Sequence, residues 1–436
     1  MKAIYLRYTP IFITYLVLVL FSGYLSPDFL GIPAFGFGQV RYAQWKYSIV
    51  ALCLVTLIIF LYEKQQKRID EIIKKLQEKI VLSKAYAMLF SLISSAIFFL
   101  LRSNHLNKDG KKLTRKFLHD VPLHGAHITH DEIYELYIHS RFWYYTNQYF
   151  NWDVIFSYQV LSSLAGGIFI YLLFRFAQKI SPTKSIAFIL IVVSGGYMQL
   201  FFGDAENYTL TAVIILAYLF ASFEYLQKRQ PLILPSSLLA LAMMFHLLAG
   251  FLLPSLAYLY LCEIRMKKYS SVFISFISSS AIIVGTLTYF HYNGLPLKKL
   301  FTESHATGSG GSITEMLAPL SWEYHTGIMT LLFILSPIIF SPIFTKLIRN
   351  IKWDTTNKHL LIASLFMLFY MFIWHAQLGI YEDWNLFATV VIPISVFIAR
   401  NALNTKLVKK QAHIFTATLL LIFIQTYTRI IYNHFL

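Results

Sequence analysis

The hydrophobic positions fall into long, nearly unbroken runs, and most polar residues are confined to the joints between them. Crossing ~30 Å of hydrocarbon takes about 20 mostly apolar residues in a helix. Runs that qualify lie at 9–26, 47–62, 85–102, 153–175, 185–202, 208–226, 232–247, 248–263, 270–290, 326–345, 359–376, 386–400 and 412–430. This pattern predicts an all-α polytopic membrane protein with about 13 transmembrane helices. The stretch 232–263 is too long for one helix and has Pro231, Pro235 and Pro254 nearby, so it is read as a tight hairpin. Residues Ile133 to Phe150 interleave apolar and aromatic with polar side chains, the pattern of an amphipathic helix lying in the interface. The first run has a basic start, but Pro27 and Asp28 follow it rather than a small-residue cleavage site, so it is expected to stay as a helix.

Composition strengthens this picture. The chain is 57% hydrophobic and 13% charged, with a mean hydropathy of +0.58, which excludes ordinary soluble globular usage. Aromatics at 17% suit rings that pack between helices and anchor at both interfaces. Cys53 and Cys262 both fall inside apolar runs, which argues against a disulfide framework or a cysteine metal site.

The net charge of +16 is a topology signal and not a nucleic-acid one. Lys and Arg concentrate at 63–84, after the fourth span (Arg175, Lys179, Lys184), after the sixth (Lys228, Arg229) and after the eighth (Arg265, Lys267, Lys268). They recur after the tenth (Lys346, Arg349, Lys352) and twelfth (Lys406, Lys409, Lys410). All fall on one side if the N-terminus is cytoplasmic and 232–263 is a hairpin. Loop 103–152 dissents with Lys108, Lys111, Lys112, Arg115 and Lys116, but long loops obey charge bias weakly, and a basic patch there suits a phosphate-bearing ligand. The same alternation puts loop 103–152, the turn 203–207, His246, loop 291–325 and the turn 377–385 together at the outer face.

Those segments hold the candidate chemistry. Acids near a bilayer are costly, so by default they face a polar cavity and mark a site. The densest cluster contains Asp120, His124, His127, His130, Asp131, Glu132, Glu135 and His139. Histidines at three-residue spacing there could seat a metal. Asp204, Glu206, Asn207 and Tyr208 stand between two apolar runs, although acids at a helix start also serve as caps. His246 interrupts an apolar run, His325 and His375 flank outer turns, and Asp383–Trp384 open the twelfth span. Gly308–Ser312 is flexible but lacks a P-loop ending.

With these segments in view, the chain resembles the GT-C superfamily of polytopic glycosyltransferases, nearest to bacterial members of the protein mannosyltransferase and aminoarabinose transferase type. The likeness covers about residues 85–400 and rests on short motifs: Leu118-His119-Asp120, Asp131-Glu132, the segment Gln199–Tyr208, Ala242–His246 and Tyr381–Asn385. Asn385 stands where an Asp-Trp-Asp motif would carry its second acid. The resemblance implies two units: 1–84, a two-helix membrane segment with a basic cytoplasmic helix, and 85–436, a catalytic module with a large first outer loop.

It further implies transfer of a sugar from a polyprenyl-phosphate donor to a glycan, lipid or protein acceptor, with inversion, at the periplasmic or exterior face of a bacterial inner membrane. The catalytic acid would be Asp120, Asp131 or Glu132, and the choice among them stays open. Arg102, Arg141, His325 or His375 would stabilise the leaving phosphate. A divalent ion such as Mg2+ or Mn2+ would do the same, with Asp120, His124 and Glu206 as candidate ligands. The competing reading is a transporter or flippase for a lipid-linked or anionic substrate. Transporters place their charges near midplane in repeated halves, and no internal repeat is evident.

Overall fold

The computed structural model describes residues 83–104, 131–181, 184–295, 321–341, 347–375, 379–380 and 383–404, with Glu71, Gly110, Leu297, Phe344 and scattered positions within 418–434. The unit 1–84, Asp120, His124 and the Gly308–Ser312 stretch therefore lie outside the described residues, Ser83, Lys84 and Glu71 apart. Among the described residues the chain is helical, without strands. The helices are α1 (Lys84–Leu100), α2 (Ile133–Phe150), α3 (Val154–Ile180), α4 (Ser185–Val193), α5 (Thr209–Leu226), α6 (Ile233–Phe245) and α7 (Leu253–Arg265). Then follow α8 (Tyr269–Tyr292), α9 (Trp322–Leu335), α10 (Thr355–Ile373), α11 (Trp384–Ala388) and α12 (Ile392–Asn404).

Six helical stretches among the described residues are long and apolar enough to cross a membrane: Val154–Ile180, Thr209–Leu226, Leu247–Arg265, Tyr269–Tyr292, Thr355–Ile373 and Trp384–Ala402. The protein is a multi-pass α-helical membrane protein. Helix α2 forms where the mixed pattern predicts it, and it is not among the helices apolar enough to span.

Several expected spans are interrupted, each for a local reason. The run 185–202 is not one helix. It stops at Ser194 and resumes as a tighter 3-10 helix over Gly196–Phe201, because two adjacent glycines are poor helix formers. The hairpin breaks at His246, whose extended backbone (φ −153°, ψ 129°) separates α6 from a 3-10 turn, Leu247–Leu252, that leads into α7. Helix α9 ends before Pro337, which cannot continue it.

Close contact between α1 and α3 depends on Gly167. A Cβ there would sit 1.9 Å from Ser95 Oγ and 2.9 Å from the Ser91 carbonyl. The Ser91 hydroxyl donates to the Gly167 carbonyl at 2.7 Å, so the pair is fastened as well as close. The Trp384–Ala402 stretch is enclosed on all sides, whereas α8 is largely exposed, with Phe273, Ile274, Phe276 and Val284 facing outward. An axle of apolar helix wrapped by others, with a lipid-ready outer surface, follows from sequences that are apolar all round.

The polar residues then separate to two ends. At one, Glu224 at the close of α5 pairs with Lys179 at 3.7 Å and Arg229 at 3.0 Å, Glu263 pairs with Lys268 at 3.9 Å, and Arg400 binds Asp354 at 2.7 Å. Beside that last pair, Asn357 and Asn401 exchange two amide hydrogen bonds of 2.9 Å. This is the basic end. At the other end lie the starts of α2, α3, α5 and α11 and the break at His246. This is the acidic end.

Candidate functional site

Helix α2 lies across the acidic end, tied down at three points. Tyr134 Oη and Thr286 Oγ1 of α8 are 2.8 Å apart, Thr146 Oγ1 and Ser157 Oγ of α3 are 2.9 Å apart, and Leu247 N donates to the Asp131 carbonyl at 2.9 Å. These tethers place Glu132, the residue just before α2, against the turn that opens α5 and the break that opens the α7 arm.

Glu132 receives a hydrogen bond on one oxygen from Asn207 Nδ2 at 2.8 Å, and its other oxygen lies 3.5 Å from His246 Nε2. The state of His246 follows from its other nitrogen. Nδ1 accepts the Leu248 backbone N–H at 3.1 Å, so it carries no proton. The ring is therefore neutral, with its hydrogen on Nε2 facing the carboxylate. Asn207 is oriented in turn by Tyr158, whose hydroxyl donates to Oδ1 at 3.0 Å. Burial pushes the Glu132 carboxyl above the usual carboxylate range; the Asp131 charge adds to the rise, and the donors from His246 and Asn207 oppose it. A carboxylate raised but still supplied with two donors is poised to exchange a proton.

More acids share this space. Burial raises the Tyr208 hydroxyl well above its ordinary range, and the charges of Glu132, Glu206 and Asp383 raise it further, so those carboxylates surround it. The Tyr208 ring stands 5.1 Å from that of His246. Asp204 is buried, its Oδ2 has no hydrogen-bond partner among the described residues, and burial pushes its carboxyl up to about 7.

Beneath them is a fully buried pair. Glu135 Oε1 accepts the Thr211 backbone N–H at 2.6 Å and its hydroxyl at 2.9 Å, while Oε2 lies 3.5 Å from His139 Nε2. The His139 ring stacks on Tyr158 at 3.9 Å and 14°. Glu135 thus satisfies the N-terminus of α5 from another helix. The residue preceding α5 is Tyr208, whose side chain makes no cap, and an acceptor is supplied across space by Glu135. Asp383 likewise makes no side-chain cap to α11.

The sequence-predicted residues divide as follows. Glu132, Glu206, Asn207, Tyr208, His246 and Asp383 are brought together, and Asp131 joins them through its charge on Glu132. Arg102 lies at the edge. Its Nε donates to Gln159 at 3.0 Å, and Gly203, held at φ +69°, packs so closely that a Cβ would meet Arg102 Cβ at 2.5 Å. Trp384 is buried at the start of α11. His325 and His375 flank Tyr324, at ring distances of 6.0 and 6.1 Å, and Tyr324 donates to the Trp374 carbonyl. Arg141 turns to the α8 side, 5.0 Å over the Tyr137 ring, and makes no described contact with Glu132. Asp120 and His124 lie outside the described residues.

Tyr158 and Thr211 were not among the sequence candidates, and nothing local marks them. Glu135 and His139 carried a usable signal, an acid and a histidine four residues apart on one helix face.

No group of three His, Cys, Asp or Glu among the described residues gathers closely enough to hold a metal ion. Of the candidate ligands only Glu206 is described; Asp120 and His124, and with them most of the expected divalent-ion site, lie outside the described residues. The chain matches no protein-family model, and no curated protein or solved structure is significantly similar to it.

Proposed function

We propose that this protein is a membrane glycosyltransferase that moves a sugar from a polyprenyl-phosphate donor to an acceptor hydroxyl or amine, with Glu132 as general base. The observation that carries the reading is the meeting of Glu132, Asn207 and His246, from three distant segments, at one end of the bundle, opposite the basic end. Among the described candidates Glu132 is the acid with a raised carboxyl and two oriented donors, which suits proton abstraction near neutral pH.

In the proposed reaction Glu132 takes the acceptor proton as the acceptor oxygen or nitrogen bonds to the anomeric carbon. The bond from that carbon to the phosphate oxygen breaks, and the electron pair leaves on the lipid phosphate. One displacement inverts the configuration. Neutral His246 and Asn207 hold the carboxylate in place without neutralising it. Arg102, packed against Gly203 of the turn before α5, would stabilise the leaving phosphate. The acid-bearing end would face the periplasm or exterior of a bacterial inner membrane, because the Lys- and Arg-rich connections occupy the other end.

The test is transfer by purified protein from radiolabelled polyprenyl-phosphate sugars to a membrane lipid extract, with and without EDTA. Label leaving the carrier in wild type, and falling by about 10²–10⁴ in Glu132→Gln with an unchanged melting profile, supports the reading. Saturable binding of a lipid phosphate with no transfer from any donor would replace it with the transporter.

A further inference from the structure

The mechanism above uses Glu132, Asn207 and His246 but leaves unexplained why a tyrosine of α3 reaches into the same network. We infer that Tyr158 is a positioning residue, which holds the Asn207 amide in the one orientation that presents its N–H, and not its oxygen, to Glu132. The inference rests on Glu132 being the base.

An asparagine amide is nearly symmetric in shape, so packing alone does not choose which end faces a neighbour. Asn207 and Tyr158 are 5% and 1% exposed, which leaves little room for water to choose instead. The Tyr158 hydroxyl donates to Oδ1 at 3.0 Å, and this leaves Nδ2 directed at the carboxylate at 2.8 Å. Tyr158 is itself held. Its ring lies flat against His139 at 3.9 Å, and His139 is pinned 3.5 Å from Glu135, which is anchored on the α5 N-terminus. The rigid frame of α2, α3 and α5 therefore sets the direction of one amide.

Removing the hydroxyl frees that amide to turn. With Oδ1 toward Glu132 it repels the carboxylate and accepts a hydrogen bond from the carboxylic acid, so the protonated form gains. The other groups that bear on Glu132 are Asp131, His246 and, through the shared surroundings of Tyr158, Tyr208 and Tyr370, Glu206, Glu135 and Asp383. None of these is altered by the substitution.

The test compares Tyr158→Phe with Ser163→Ala, which deletes a similarly buried hydroxyl of α3 that donates only within its own helix, to the Gln159 carbonyl. Two readouts are taken: the infrared titration of the Glu132 carboxyl, identified by subtraction of Glu132→Gln, and steady-state transfer. In Tyr158→Phe the titration midpoint is expected to rise by about one unit and kcat to fall roughly tenfold with KM unchanged. Ser163→Ala is expected to match wild type in both. A midpoint in Tyr158→Phe equal to that in Ser163→Ala would overturn the positioning role, whatever the rate. A raised midpoint in a protein that transfers no sugar would uphold it while removing the glycosyltransferase reading.

Discussion

Asp204 offers the sharpest quantitative check on the acidic end. It sits in the turn before α5, buried, with one carboxylate oxygen lacking a described partner, and burial lifts its carboxyl from 3.8 to about 7. The folded state therefore binds a proton more tightly than the unfolded state. Between about pH 4 and 7 the folded protein keeps a proton that the unfolded chain has lost, so stability falls as pH rises through this window and levels above it. Each unit is worth about 1.4 kcal/mol, which makes the full cost about 4 kcal/mol and the part between pH 5 and 8 about 3 kcal/mol. Asp204→Asn keeps the shape and removes the titration. Its advantage over wild type should grow by about 3 kcal/mol from pH 5 to pH 8. With an unfolding entropy of about 2.1 cal/mol/K per residue, 436 residues give roughly 3 °C in apparent melting temperature. Thermal melts in detergent at both pH values measure it. An advantage that is the same at pH 5 and pH 8, or a wild type that gains stability toward pH 8, would refute the burial argument.

Two further substitutions probe the frame. Gly167→Ala should destabilise by about 1–3 kcal/mol, because the new methyl meets the Ser91 carbonyl as well as Ser95 Oγ, and melts alongside Ser95→Ala and Gly167→Ala/Ser95→Ala would show that the double variant recovers only part of the loss. Glu135→Ala should cost about 2–4 kcal/mol by stranding the Thr211 N–H and hydroxyl, while Glu135→Gln, which keeps an acceptor, should lose at most half as much. Amide exchange at the start of α5 reports the same loss locally.

Much of the membrane architecture was legible because hydrophobic runs of bilayer length have few other uses. His246 was legible for the same reason, as a polar residue with no business in an apolar run unless it meets a partner, and its partner is Glu132. The break at Ser194–Gly196 was not, because hydropathy averages across two glycines that end a helix without making it polar. Nor was the cap of α5. Capping by Asp204 or Glu206 was only the alternative to a role in the cavity, and Glu135, which accepts from Thr211, lies 76 residues away and is visible only once α2 crosses the bundle end. Tyr158 is one of 29 tyrosines, and its role depends on a hydrogen bond that no spacing encodes.

The enclosed helix at the centre has a consequence for how the chain is made. Trp384–Ala402 is surrounded on all sides, yet it is made about 200 residues after Val154–Ile180. At 5–20 residues per second the ribosome needs on the order of 10–40 s to travel from one to the other. During that interval the earlier helices must wait in the membrane around an unfilled centre, their inner faces covered by lipid or by insertion machinery. A nascent chain that stops before residue 384 would leave an open ring, which gives the quality-control proteases of the membrane a clear mark by which to tell a finished molecule from an abandoned one.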